Sequence, residues 1–174
     1  MRRAIVQKYG DIGQIACFLV DIELAAIDAI RQVLPATTIK GCTFPFRQAI
    51  MCHVADEGLQ MAYNTNNPPE VKDWFRHIMG MSMLPFTLIE RAWASLRQPP
   101  PVEDSSMFDK IKAFALYFER TWKSGSYPPT LWTHFDNCGP RTTNVAEGWH
   151  NFLNHRFGMP HPSMRNFMHW LQKC

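Results

Sequence analysis

Two acidic residues stand where a carboxylate could do chemistry. Asp21 follows the apolar run Ile15-Ala16-Cys17-Phe18-Leu19-Val20 and precedes a helical pattern. A carboxylate at the C-terminal end of a buried strand occupies the edge at which α/β sheets hold ligands. The same place suits a helix N-cap, for which Asp is a preferred residue. Glu147 lies three residues after Asn144, early in a second helical pattern. There it is either the acid of a capping box or a metal-binding carboxylate on a helix's first turn. Arg141, Thr142, Thr143 and Asn144 crowd polar groups just before it. His150, three residues on, shares its face and could support it.

The other reactive side chains carry weaker signals. Pro45 stands where a Cys-x-x-His pair would need its histidine after Cys42. Cys52 and His53 are adjacent, and neighbours in sequence do not make a zinc half-site of usual spacing, so these cysteines are expected in the core. His150, His155, His161 and His169 lack the spacing of a helical zinc pair, and no nucleophile elbow, phosphate loop or dinucleotide fingerprint occurs. Met79, Met81 and Met83 read as core filler.

The elements that must position Asp21 and Glu147 can be read from hydrophobic period. The run 15–20 has the length and flanks of a buried strand. Ile22, Ala26, Ala29, Ile30, Val33 and Leu34 then repeat at helical spacing up to Pro35. The β-rich stretch 38–44 is a second strand, so the opening is a strand–helix–strand unit with Asp21 at the end of its first strand. The middle is helical: 47–63 with Gly58 as a weak point, 70–79, 86–97, and 107–122 opened by a capping box from Ser106 to Asp109. Residues 131–135 read as extended. Helix 144–157 turns Val145, Trp149, Phe152 and Leu153 inward and stops at Gly158; Ser163 caps a last helix bearing Phe167, Trp170 and Leu171.

Composition fits that outline. The chain has 174 residues, 46% hydrophobic and 19% charged, which excludes a disordered chain and allows one domain with a sizeable core. A net charge of +3 excludes a histone-like polycation, but the stretch from Arg141 onward is basic and rich in His and could meet a polyanion. Five Cys, an odd number without a Cys-x-x-Cys pair, point to a reducing setting. No signal peptide is read, and no stretch approaches the roughly 20 apolar residues of a membrane helix.

Several segments, taken in order, narrow the field. Val20-Asp21-Ile22-Glu23 leads an Ala-rich helix, and Gly41-Cys42-Thr43-Phe44-Pro45-Phe46-Arg47-Gln48-Ala49 follows. Gly58-Leu59 with Tyr63, Met83-Leu84-Pro85, Tyr117-Phe118-Glu119-Arg120-Thr121-Trp122, and Pro128-Pro129 before Trp132 come next. Arg141-Thr142-Thr143-Asn144-Val145-Ala146-Glu147-Gly148-Trp149-His150 closes the set. In this order they resemble the C-terminal half of the catalytic domain of Mutator-like (MULE) transposases, over 15–153.

That resemblance implies an RNase H-like enzyme of the DDE class, in which three carboxylates hold two Mg²⁺ or Mn²⁺ ions about 3.5–4 Å apart for DNA strand cleavage and transfer. Matched by motif, Asp21 is the second Asp and Glu147 the Glu, both metal ligands; Arg141, Asn144 and His150 stand in support. The family's first Asp lies far upstream of its second; only 20 residues precede Asp21 here, and Asp11 sits in a Gly-flanked stretch. The fold expected is α/β, mainly helical: one partial domain over 1–174, with a truncated RNase H-like core at 14–45 and 130–158 and a helical insertion at 46–129. An exposed apolar sheet edge follows from the missing strands. The function expected is a transposase fragment in the nucleus, partnered by DNA and by its own missing half or a second copy, and inactive alone. The alternatives are a domesticated DNA-binding or protein-interaction module without catalysis, and a bare structural remnant.

Overall fold

A computed structural model describes residues 17–157 and 163–171. The chain is mainly helical with a small parallel sheet. Strand β1 (Cys17–Val20) pairs in parallel with β2 (Thr38–Gly41), Cys17 opposite Thr38 and Val20 opposite Gly41. Helix α1 (Leu24–Val33) joins them, so the strand–helix–strand opening is present. Parallel strands need such a crossover because both must run the same way. The expected residues Ile22, Ala26, Ile30 and Leu34 are half-buried, Ala29 and Val33 are exposed, and Ile27, which the stripe omitted, is the buried residue of α1.

The second strand is shorter than the sequence suggested. It ends at Gly41, and Thr43 already opens helix α2 (Thr43–Asp56). Pro45 permits this early start: in a helix's first turn its missing N–H has no bond to lose. Gly41 lies in a tight place: a Cβ there would stand 3.0 Å from Ile22 Cγ1 and 3.4 Å from Leu131 Cγ, so these side chains would have to give way.

Gly58 breaks the expected 47–63 helix in two. At φ +71° it adopts the left-handed conformation that glycine tolerates best. Gly58 N–H donates to the Ala55 carbonyl and Leu59 N–H to the Val54 carbonyl, each at 2.9 Å. This is a Schellman motif, with buried Leu59 and Val54 as its apolar pair. Helix α3 (Gln60–Thr65) follows, then α4 (Pro69–Gly80). A 3₁₀ turn at Phe86–Leu88 runs into α5 (Ile89–Leu96), and Phe86 is exposed.

Helix α6 (Ser105–Phe118) starts earlier than expected. Its cap is Asp104, whose carboxylate accepts from Ser106 N–H at 2.9 Å and Met107 N–H at 3.3 Å, in place of a Ser106–Asp109 box. A π turn (Glu119–Lys123) carries Trp122 inward. The stretch expected to be extended begins as the helical turn α7 (Pro129–Trp132).

One aromatic core unites α2 to α7. Phe46 stacks on Trp132 with centroids 4.9 Å apart and meets Trp122 edge-on at the same distance. Phe75 meets Phe114 edge-on at 4.8 Å. Such pairs add to the area they bury. Trp132 Nε1–H donates to the Trp122 and Tyr127 carbonyls, and Trp74 Nε1–H to the Leu96 carbonyl. Trp93 Nε1–H, equally buried, has no partner among the described residues.

The chain divides into two compact units at Arg141–Thr142. The second holds α8 (Asn144–Phe157) and α9 (Met164–Leu171). Helix α8 has the expected span but not the expected inner face. Val145, Trp149 and Phe152 are 76%, 55% and 49% exposed, and Leu153 is buried. Gly158 and the side chains of Phe167, Trp170 and Leu171 lie outside the described residues, as do Ile15, Ala16 and Asp11. Among the described residues no helix is long and apolar enough to cross a membrane.

Candidate functional site

Asp21 follows the last residue of β1, and the parallel register sets Val20 beside Gly41. The Cys42 N–H donates to the Val20 carbonyl at 2.7 Å, which continues the ladder one step and brings Cys42 to the same sheet end as Asp21. Asp21 is exposed, and its backbone carbonyl accepts from the Glu23 N–H at 2.7 Å. Glu23 stands at the N-cap position of α1 and makes no side-chain hydrogen bond to the helix.

Side chains from distant segments hold this end of β2. Thr43 N–H and Oγ1–H both donate to the Arg141 carbonyl, at 2.9 and 3.0 Å. That acceptor satisfies one of the N–H groups a helix start leaves open. The guanidinium of Arg141 is exposed and reaches Met83 Sδ at 3.5 Å.

His134 is buried with its Nε2 2.7 Å from the Gly41 carbonyl. Its Nδ1 lies 3.1 Å from Asn137 Nδ2, which also donates to the Pro140 carbonyl, while Asn137 Oδ1 accepts from the Gly139 N–H. These contacts choose one tautomer: Nε2–H donates to Gly41, and neutral Nδ1 accepts from Asn137. Burial pushes the imidazole below its ordinary pKa, and the charges of Lys40 and Arg141 add to that, against the upward pull of the Gly41 bond.

Lys40 is tied in the same way. Its ammonium donates to the Thr133 carbonyl at 2.7 Å and the Thr130 carbonyl at 3.0 Å, and burial lowers its pKa. Sequence reasoning passed over His134 and Lys40. Their partners lie up to 93 residues away, and no local spacing announces such bonds.

Glu147 lies in the second unit. Its N–H donates to the Thr143 carbonyl at 3.0 Å, and Thr143 Oγ1–H donates to its carboxylate at 3.3 Å. With α8 beginning at Asn144, Glu147 is one residue too far along for the capping box expected of it. Asn144 and His150 are exposed on the same helix, the His150 ring against Trp149 at 5.7 Å.

Cys42 is buried as expected, whereas Cys52 is exposed. His53 stacks on Tyr117 at 3.7 Å and pairs with Glu57 at 3.5 Å. Met79 and Met81 are buried, and Met83 is exposed.

The carboxylate oxygens of Asp21 and Glu147 suit a hard cation such as Mg²⁺ or Mn²⁺. Among the described residues, no three His, Cys, Asp or Glu side chains gather as a metal-binding group. The described ligands therefore do not amount to a two-ion site. No family model, curated protein or solved structure matches the chain.

Proposed function

We propose that this chain is part of a MULE-type transposase catalytic domain of the RNase H-like DDE class, contributing two of its three acidic ligands and inactive by itself. The supporting observation is the place of Asp21: at the C-terminal end of β1, in a parallel strand–helix–strand unit, where α/β sheets bind ligands. The ordered motifs around it add the family, and Glu147 early on α8 adds the second ligand. In this reading the helices from α2 to α6 are the insertion between core pieces. Asp21 and Glu147 hold Mg²⁺ or Mn²⁺, a further acidic ligand completes the set, DNA is the substrate, and the nucleus is the place of action.

Thermal unfolding with and without Mn²⁺ tests it. The wild type should melt higher with Mn²⁺, and the Asp21→Asn/Glu147→Gln double variant should not respond. Equal response of the two proteins, or none in the wild type, removes the metal role of the pair. Cation-dependent nicking of plasmid DNA by the purified chain would overturn the statement that it is inactive alone.

A further inference from the structure

A groove of about 540 Å³ opens between β2 and the α7 segment. It takes in Thr37 and Thr38 at the start of β2, whereas Asp21 follows the end of β1. In a parallel pair those are opposite ends of the sheet. Two aromatic rings stand at this groove in solvent: Phe86 is 52% exposed and Phe135 is 56% exposed. Two cations line it, Lys40 and Arg31, together with one carboxylate, Asp136.

The chemistry of these groups narrows the ligand. Lys40 spends two of its three N–H donors on the Thr130 and Thr133 carbonyls and keeps one. Arg31 pairs with Asp28 at 3.5 Å, but both side chains are more than half exposed, so that pair is weak and can yield. A bare anion would meet Asp136, and a bare cation would meet Lys40 and Arg31. A purely apolar ligand would gain nothing from Arg31, Lys40 or Asp136, although Asp136 already attracts Lys40. What uses every group is a molecule with an anionic part, a flat π-face and an N–H edge.

From this we infer that the groove binds unpaired nucleotides of a single-stranded nucleic acid. Bases stack on Phe135 and Phe86, phosphates meet Arg31 and Lys40, and Asp136 accepts from the amino group of a base. Stacking on exposed aromatic rings beside cations is the usual basis of single-strand binding. A carboxylate accepting from the cytosine amino group is a known pairing, and thymine lacks that amino group. Paired bases hide their faces, so duplex is excluded by the same geometry. The assignment deepens the nucleic-acid reading given above and rests on it for its purpose, but it uses neither Asp21 nor Glu147.

The test is fluorescence anisotropy of labelled oligo(dC), oligo(dT) and a mixed-sequence duplex with the full chain, in EDTA at about 50 mM salt. The wild type should bind oligo(dC) more tightly than oligo(dT) and either more tightly than duplex. Phe135→Ala and, separately, Phe86→Ala should each weaken oligo(dC) binding about tenfold, the order of one stacked base. Both rings are half exposed, so neither variant opens the core. Asp136→Asn should narrow the preference for oligo(dC) over oligo(dT).

Three results would overturn the assignment: no binding of oligo(dC) at about 100 µM protein, wild-type affinity in both Phe variants, or duplex bound as tightly as single strand. Free dCMP competing as well as oligo(dC) would overturn the strand and leave a free nucleotide. EDTA removes metal from the readout, so failure here and failure of the Mn²⁺ test are separate results.

Discussion

His134→Ala tests how the end of β2 is held. The imidazole is fully buried and donates to the Gly41 carbonyl at 2.7 Å. Removing it strips that carbonyl of its donor, a loss of about 1–3 kcal/mol, and leaves a cavity whose cost is on the order of 2 kcal/mol. The sum, roughly 3–5 kcal/mol at pH 8, is a large part of the ~5–15 kcal/mol that holds an ordinary domain together.

The pH dependence carries the sharper test. The folded pKa of His134 is lowered, so below the unfolded value of about 6.5 the unfolded chain binds a proton that the folded chain refuses. Stability from this group is therefore complete above about pH 6.5 and falls as the pH drops toward the folded pKa, by at most ~1.4 kcal/mol per pH unit. Protonation also puts a second donor on Nδ1, facing the Asn137 amide NH₂ at 3.1 Å. His134→Ala lacks this slope, so the gap between wild type and variant should shrink from pH 8 to pH 5. Urea unfolding followed by tryptophan fluorescence measures the gap. His53, paired with Glu57, is common to both proteins and cancels in the difference. A gap that stays constant or widens toward pH 5 would refute the assigned tautomer and its burial.

Three further substitutions test the core and the helix ends by urea or thermal unfolding. Trp93→Phe removes a buried N–H without a partner, which offsets the small cavity it leaves, and should change stability by no more than about 1 kcal/mol. Trp74→Phe breaks the bond to the Leu96 carbonyl and should cost about 1–3 kcal/mol; the reverse order of the two would show that Trp93 Nε1–H is satisfied. Gly58→Ala should cost roughly 1–2 kcal/mol, because an L-residue at φ +71° is strained, and Gly58→Asn should cost less; equal stability of all three would refute the Schellman turn. Asp104→Ala should lose about 1 kcal/mol, whereas Ser106→Ala, which leaves the capping carboxylate intact, should lose almost nothing.

The sequence made legible what depends on neighbours. Apolar runs and their period placed β1, α1 and the helices of the middle, and Pro35, Gly58 and Pro85 marked breaks between them. Where a local rule had two answers, the structure chose by contacts the sequence does not display. Thr43 joins a helix, not the strand before it, because Pro45 is harmless in a first turn and the Arg141 carbonyl receives its N–H. Asp104 caps α6 ahead of Ser106, since both types suit a cap and only backbone geometry ranks them. Trp149 on α8 shows the limit of period alone, because an apolar stripe shows which side chains share a face, not whether that face is covered. The position of Asp21 after β1 was readable from its flanks, but the start of α1 was not, because the N-cap position falls on Glu23, two residues later.

The sheet end beside Asp21 shows why the rest was hidden. Among the described residues the sheet has two strands, and an unpaired strand edge is a template for unwanted pairing. The resemblance led to the expectation of an apolar edge in solvent; the side chains of Phe18, Leu19, Val20 and Ile39 on these two strands are half-buried. On the β2 side the cover is not a strand. Lys40 and Gly41 point to opposite faces, as successive strand residues must, and both meet the α7 segment: Lys40 through the Thr130 and Thr133 carbonyls, Gly41 in close approach to Leu131. A segment touched from both faces lies along the edge, and His134 completes the cover by donating to the Gly41 carbonyl within the plane of the sheet. His134 thus takes a place where a third strand would offer a backbone N–H, and Lys40 of β2 ties the covering segment to the strand. Side-chain bonds of this kind need no strand pattern in the covering segment, so residues 130–134 carry no alternation. They also leave the start of β2 uncovered, and that gap is the groove where Phe86 and Phe135 stand in solvent.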